Sequence, residues 1–186
     1  MKIVLGGSRH LEFIPKEIAD RLLEWMENSS EFLVGDAPGT DRAFQKFLSS
    51  KKYPSVTIYT SAAEIRNNLG NWQVEKVESG LKSKSNAVHA FKDRKMSQIA
   101  DIGLMIWDCK SAGTLSNVID LLAQSKNCFI WVVPDSEVYQ FDNSASLEKW
   151  MQNYPEVRDE AFKRLSTFNK RESKRINLDS QPELFG

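Results

Sequence analysis

The sequence predicts an α/β protein: a Rossmann-like, mostly parallel sheet flanked by helices, with two extra C-terminal helices and a flexible tail. Three observations carry this. Short, nearly continuous apolar runs (Ile3–Leu5, Phe32–Val34, Ile102–Ile106 and Cys128–Val133) suit strands buried on both faces. The first three each lead into a turn of small and polar residues, and each turn leads into apolar residues at helical spacing. At 186 residues the chain can bury one sizeable core and is short for two ordinary domains. Residues 1–168 are therefore expected to form one domain and 169–186 a flexible basic tail.

The first strand, Ile3–Leu5, runs into Gly6, Gly7, Ser8, Arg9 and His10, and Pro15 opens a helix with Ile18, Leu22, Trp25 and Met26 on one face. Gly7 would let the backbone approach a ligand, Ser8 offers a hydroxyl, and Arg9 can fork onto a phosphate. His10 has two readings, general acid or base and solvated bystander. The second strand, Glu31–Val34, ends in Gly35-Asp36-Ala37-Pro38-Gly39-Thr40-Asp41, before a helix whose buried face is Ala43, Phe44, Phe47 and Leu48. Thr40 or Asp41 is placed to cap that helix, and Gly39 and Thr40 would face a ligand. Asp36 could accept ribose hydroxyls or brace the turn.

Val56–Tyr59 reads as a third strand, and the polar segment Arg66–Trp72 as a long excursion over the sheet's carboxyl edge. Trp72 would either anchor that loop or stack on a base. Asn86–Phe91 reads as a short fourth strand. It delivers Lys92, Asp93, Arg94 and Lys95, which bind phosphate or form the solvated first turn of a helix with Met96 and Ile99 inward. The central strand, Ile102–Ile106, is followed by a polar turn and by a helix beginning near Gly113 and Thr114, with Leu115, Val118, Ile119 and Leu122 at helical spacing. Backbone N–H groups at the start of that helix favour an anion, which makes Ser111, Gly113, Thr114 and Asn117 candidate ligand contacts. Cys128–Val133 is read as the last strand, halted at Pro134. Amphipathic helices over 144–152 and 155–168 carry Trp150, Met151, Phe162 and Phe168, more apolar surface than one small sheet needs, and a homodimer is expected to bury it.

Twenty-five Lys and Arg balance 25 Asp and Glu, so net charge gives no reason to expect nucleic acid or an anionic membrane as partner. No apolar run reaches the length of a membrane span, and the amino terminus lacks a signal-peptide pattern. Cys109 and Cys128 lack metal-site spacing. The expectation is a cytoplasmic protein with reduced thiols and neither metal nor cofactor. Cys109 reads as a small turn residue and Cys128 as core.

Four features occur in one order: Gly6-Gly7-Ser8-Arg9, Gly35-Asp36-Ala37-Pro38-Gly39-Thr40-Asp41, Lys92-Asp93-Arg94-Lys95-Met96 with Ala100-Asp101, and Gly113-Thr114. Together, over about residues 1–133, they resemble the SLOG superfamily of Rossmann-like nucleotide-binding proteins, and most nearly its small bacterial and phage members related to YspA and YpsA. More distant members are the cytokinin-activating phosphoribohydrolases and the DNA-processing protein A family. The resemblance implies a site for a nucleotide or nucleotide-derived small molecule at the carboxyl edge of the sheet, in a sensor or binding module. Its enzymatic branch carries an arginine before the central strand, matched here by Lys92 or Arg94, and a glutamate after the Gly-Thr step that works in cleaving an N-glycosidic bond. Asn117 stands at the glutamate's place, and an amide is no carboxylate base. A phosphoribohydrolase-like enzyme is therefore the alternative, with Asp36 or Asp108 as its candidate catalytic carboxylate. In the tail, Gln181, Leu184 and Phe185 resemble the short peptide by which bacterial replication proteins dock on the polymerase sliding clamp.

Overall fold

The structure, a computed structural model, describes residues 1–78 and 86–179. These form β1 (Lys2–Gly7), α1 (Lys16–Glu27), β2 (Glu31–Gly35), α2 (Thr40–Ser50), β3 (Val56–Thr60), β4 (Gln73–Lys76), α3 (Asn86–Ile99), β5 (Ile102–Trp107), α4 (Ala112–Ala123), β6 (Asn127–Val132), β7 (Glu137–Phe141), α5 (Ser144–Met151) and α6 (Pro155–Asp179). The fold is α/β and Rossmann-like, a seven-stranded sheet in the order β4-β3-β2-β1-β5-β6-β7 flanked by helices. Every strand pair is parallel except β6 with β7.

Alternation along the buried strands builds one core on each face. Ile3 and Leu5 of β1, with Phe32, Val34, Leu104 and Ile106, pack against Ile18 and Leu22 of α1 and Phe44 and Leu48 of α2. Val4, Leu33, Met105 and Trp107 face the other way, onto Met96 of α3, Leu115, Val118 and Leu121 of α4, Met151 of α5 and Ala161 of α6. Strands covered on both faces must be apolar at every position, which is why the continuous runs marked them.

Four features differ from the sequence expectation. Asn86–Phe91 opens α3 and is no strand; β4 and β5 are parallel and lie four strands apart in the sheet, a span that takes a crossover. The sheet does not end at Val133, because β7 returns antiparallel to β6 through a turn closed by the Ser136 N–H donating to Val132 O at 2.9 Å. β4, exposed at all four positions, extends the other edge. Finally, α6 continues past Phe168 to Asp179, so the expected flexible tail from 169 is helical through that point.

The apolar surface read as a dimer face is largely covered within the chain. Met151 and Ala161 are buried, Phe168 meets the Phe91 ring at 4.8 Å, and Trp150 sits among Trp107, Tyr139, Phe141 and Tyr154 with ring centroids 5.0–5.5 Å away. Phe162 alone of the four stays open, at 40% exposure. Among the described residues, no helix is long and apolar enough to cross a membrane. Gln181, Leu184 and Phe185 lie outside the described residues.

Candidate functional site

β1 is the switch point of the sheet: the chain leaves it toward β2 on one side, and β5 lies on the other. Above the carboxyl ends of β1 and β5 opens a cleft of about 870 Å³, within the usual size of small-molecule sites. Its walls are the β1–α1 loop, the first turns of α3, the β5–α4 turn with the start of α4, and one face of α6.

The two loops at the switch point are tied to each other. The Ser8 hydroxyl donates to Asp108 Oδ1 at 2.8 Å and accepts from the Asp108 N–H at 3.1 Å. Asp108 Oδ1 also accepts from the N–H groups of Lys110 and Ser111, both at 2.9 Å. Burial pushes the Asp108 carboxyl up, and these donors outweigh it and hold the group below its ordinary range. Thr40 crosses from α2 to donate its hydroxyl to Ser8 O at 2.7 Å. Gly39, the actual N-cap of α2, has φ 78° and lies so close to the β1 loop that a Cβ would come within 2.1 Å of Arg9 O. Gly7 is equally tight, 2.2 Å from Ile106 O by the same measure. Expected ligand residues Gly7, Ser8, Gly39 and Thr40 thus serve loop-to-loop packing. Neither Thr40 nor Asp41 caps α2.

Ser111 is the N-cap of α4: its Oγ accepts from the Thr114 N–H at 3.3 Å and from the Thr114 hydroxyl at 3.0 Å. Thr114 is therefore a brace as well. The N–H groups of Ala112 and Gly113 are still left over, as at any helix start. An Arg164 Nη1 from α6 lies 2.9 Å from where a Gly113 Cβ would be. Glu160 Oε1 lies 3.4 Å from Arg164 Nε, and Nη1 stands beside the positive end of the helix, where a further anion is favoured. Asn117, one turn on, lines the cleft, and its amide has no hydrogen bond among the described residues.

Asp36 lies outside the cleft lining. It is fully buried, and its carboxylate accepts from the Thr60 hydroxyl at 2.7 Å and from Arg66 through Nε at 3.1 Å, the backbone N–H and Nη2. Burial opposes the ionised form, and Arg66 and Thr60 more than compensate, leaving the group below its ordinary value. Asp36 anchors the excursion after β3, and Gln45, Asn67 and Trp72 fasten the same loop. The Trp72 indole donates to Tyr53 O at 2.8 Å, so Trp72 is a loop anchor.

The first turns of α3 bring Lys92, Asp93 and Arg94 to the cleft, and with them His89. Lys92 is 4% exposed, with Nζ 2.8 Å from Asp93 Oδ1 and 3.8 Å from Asp41 Oδ2. A Cβ on Gly35 would lie 2.5 Å from that ammonium, so the glycine makes its room. Burial works against the Lys92 charge, and the carboxylates of Asp93 and Asp41 override it, holding its pKa up. Burial drives Asp41 upward too; Lys92 opposes this while Asp93 adds to it. His89 lines the cleft with Nδ1 3.0 Å from the Ser61 hydroxyl. Its pKa is lowered by burial, then by Arg66, Arg9 and Lys92. Arg94 contacts Asp120, which also accepts from Ser97 and Gln124, and reaches Glu172 at 3.6 Å. It ties α3, α4 and α6 together at the cleft wall.

Comparison with family models, curated proteins and solved structures finds no match. The site is consequently argued from its own chemistry. The lining cations Arg9, Lys110, Lys163 and Arg171 have no carboxylate or hydrogen-bond acceptor among the described residues. The lining carboxylates Asp41, Asp93, Asp108, Asp120 and Glu160 all have partners. A chain of zero net charge thus gathers unpaired positive charge at one cleft. Cys109, at φ 62° in the turn, has its thiol pushed up by burial, which works against a thiolate nucleophile. Among the described residues, no group of three or more His, Cys, Asp or Glu could hold a metal.

Of the residues picked out from the sequence, Gly7, Arg9, Arg94, Asp108, Ser111, Gly113, Thr114 and Asn117 line the cleft; Ser8, Asp36, Gly39 and Thr40 do not. His89 was hidden inside a segment read as a strand. Arg164 and Arg171 lay in helices read as a dimer face and a tail. Their spacing with Phe168, at i, i+4 and i+7, was the available signal that one face of α6 is shared between core and cleft.

Proposed function

We propose that this chain binds a phosphorylated, nucleotide-derived small molecule in the switch-point cleft, as a sensor or binding module. The observation that carries this is the charge accounting: lining cations without partners among the described residues, carboxylates with them, and the Arg164 guanidinium beside Gly113 at the start of α4. A phosphate there would satisfy the helix end and the guanidinium together. The order of the four motifs supports placing the chain near the SLOG superfamily, with a bacterial or phage source and a cytoplasmic setting. The test is native mass spectrometry of the purified protein, followed by a thermal-shift screen of nucleotides. A ligand that binds only the folded state raises the melting temperature, by an amount that grows with the logarithm of its concentration over Kd. Failure of every nucleotide and sugar phosphate to shift it would sink the reading.

The phosphoribohydrolase-like alternative loses ground at its two carboxylates. Asp36 is buried outside the cleft under Arg66, and Asp108 is held ionised by three donors as a loop brace. Nucleoside monophosphates incubated with the protein should release no free base. Robust release that disappears in Asp93→Asn would replace the binding reading with an enzymatic one.

Assembly and clamp docking are separate proposals. A homodimer now relies on Phe162 as its exposed anchor, and light scattering at micromolar concentration decides it. The clamp reading is tested by binding of a 178–186 peptide to a bacterial clamp, with loss on replacing Leu184 and Phe185 by alanine.

A further inference from the structure

The cleft has two ends of opposite character. Around the β1 and β5 loops stand Arg9, Lys110 and Arg164 with the start of α4, an end built for an anion. At the first turns of α3, one buried ammonium, Lys92, is shared by two carboxylates, Asp93 at 2.8 Å and Asp41 at 3.8 Å. With both carboxylates ionised, that trio carries one more negative charge than positive. It repels phosphate and attracts hydrogen-bond donors.

The cleft carboxylates differ in what they have left to give. Asp120 accepts from Arg94, Ser97 and Gln124. Asp108 Oδ1 takes three donors and fixes a turn. Asp41 is 9% exposed and accepts from the Ala37 N–H. Asp93 is the contrast: its side chain is 28% exposed, Oδ1 accepts from Lys92, and Oδ2 has no partner among the described residues. Lys92 also fixes the carboxylate's orientation, so its open oxygen is presented without the entropy cost of a free side chain. His89, one turn earlier on the same helix and held by Ser61, adds a second polar group beside it.

We infer that Asp93 is a specificity-determining residue that accepts hydrogen bonds from adjacent ligand hydroxyls, so that the cleft selects a ribose over a 2′-deoxyribose when phosphate occupies the Arg9–Lys110 end. This rests on the nucleotide reading above and adds the sugar and its orientation. An acceptor that a bound ligand covers rejects the analogue that lacks the hydroxyl, because the acceptor is then left dry and unpaired.

The experiment is calorimetric titration with the four ribonucleoside 5′-monophosphates and their 2′-deoxy counterparts. For the best base, the ribonucleotide should bind about tenfold or more tightly than its deoxy analogue. Asp93→Asn should bring that ratio toward one. Asp93→Glu keeps the charge beside Lys92 but displaces the acceptor, and should shrink the ratio as well. Equal binding of the ribo and deoxy forms by the parent, which needs no variant, overturns the inference and leaves the nucleotide reading standing. So does a ratio that survives Asp93→Asn. A parent that binds none of the eight overturns both.

Discussion

The two halves of the sheet's carboxyl edge use the same residue types to opposite ends. Over β2 and β3, Asp36, Thr60, Arg66, Gln45 and Asn67 close on one another, and the acid and base of that set are paired. Over β1 and β5, Ser8, Asp108, Ser111 and Thr114 brace the loops, while the side chains of Arg9, Lys110 and Asn117 line the cleft without partners among the described residues. Strand-end polar residues therefore do not mark a site by type. What distinguishes the halves is whether hydrogen-bonding capacity is left over once the loops are built.

The sharpest way to break the comparison is at Asp36. Its carboxylate is fully buried, and removing it leaves Arg66 and Thr60 facing a hole where an anion stood. Asp36→Ala should lower unfolding free energy by about 3 kcal/mol, the scale for breaking a buried pair from one side. Urea denaturation measures this. A change under about 0.5 kcal/mol, the usual size for surface substitutions, would mean that the β2–β3 half is not structural.

The second prediction inverts the first. Arg9→Ala with Lys110→Ala removes two exposed cations whose side chains have no partner among the described residues, so stability should move by no more than about 0.5 kcal/mol. Affinity for the phosphorylated ligand should fall by about tenfold or more, because charge-assisted contacts to phosphate are lost. Unchanged affinity with lowered stability would exchange the roles assigned to the two halves.

The same contrast explains what the sequence made legible. Strands buried on both faces announce themselves by continuous apolar runs, and α1, α2 and α4 by one apolar face, so the sheet's centre and the turns at its edge were readable. β4 (Gln73–Lys76) has four exposed positions and no pattern, and Val138, Tyr139 and Phe141 of β7 fell after a proline that looked like an ending. In Asn86–Phe91 the short apolar stretch of Ala87, Val88, Ala90 and Phe91 imitated a strand. Beyond Phe168, α6 shows few apolar residues, and Arg94 holds it through Asn169 and Glu172, a contact between residues some 75 positions apart. Residue types at the site were visible as well. Which of them braced a loop and which stayed open depended on partners distant in sequence: Ser8 with Asp108, Thr40 with Ser8, Lys92 with Asp41.

His89 supplies the smallest and most specific test, since it stands at the border between the halves. Ser61 and Arg66 face it from the loop after β3, Arg9 from the loop after β1, and Lys92 and Asp93 from its own helix. Burial and the three cations lower its folded pKa below the ordinary 6.5, with Asp93 opposing. Above 6.5 the folded and unfolded chains are both neutral at this position, and its contribution to stability is complete. As pH falls below 6.5, the unfolded chain takes up a proton that the folded chain resists, so stability is lost until the folded group titrates too. Asp41, whose carboxyl is raised, has the opposite sign, gaining folded-state stability as pH falls through its elevated value. The useful measurement is therefore a difference between proteins: the melting temperature of the parent minus that of His89→Gln, followed from pH 7.5 to 5. It should decline toward acid, because the variant lacks the penalty. If the parent instead gains on the variant as pH falls, His89 is held charged against Asp93, and burial with Arg66, Arg9 and Lys92 does not govern this imidazole.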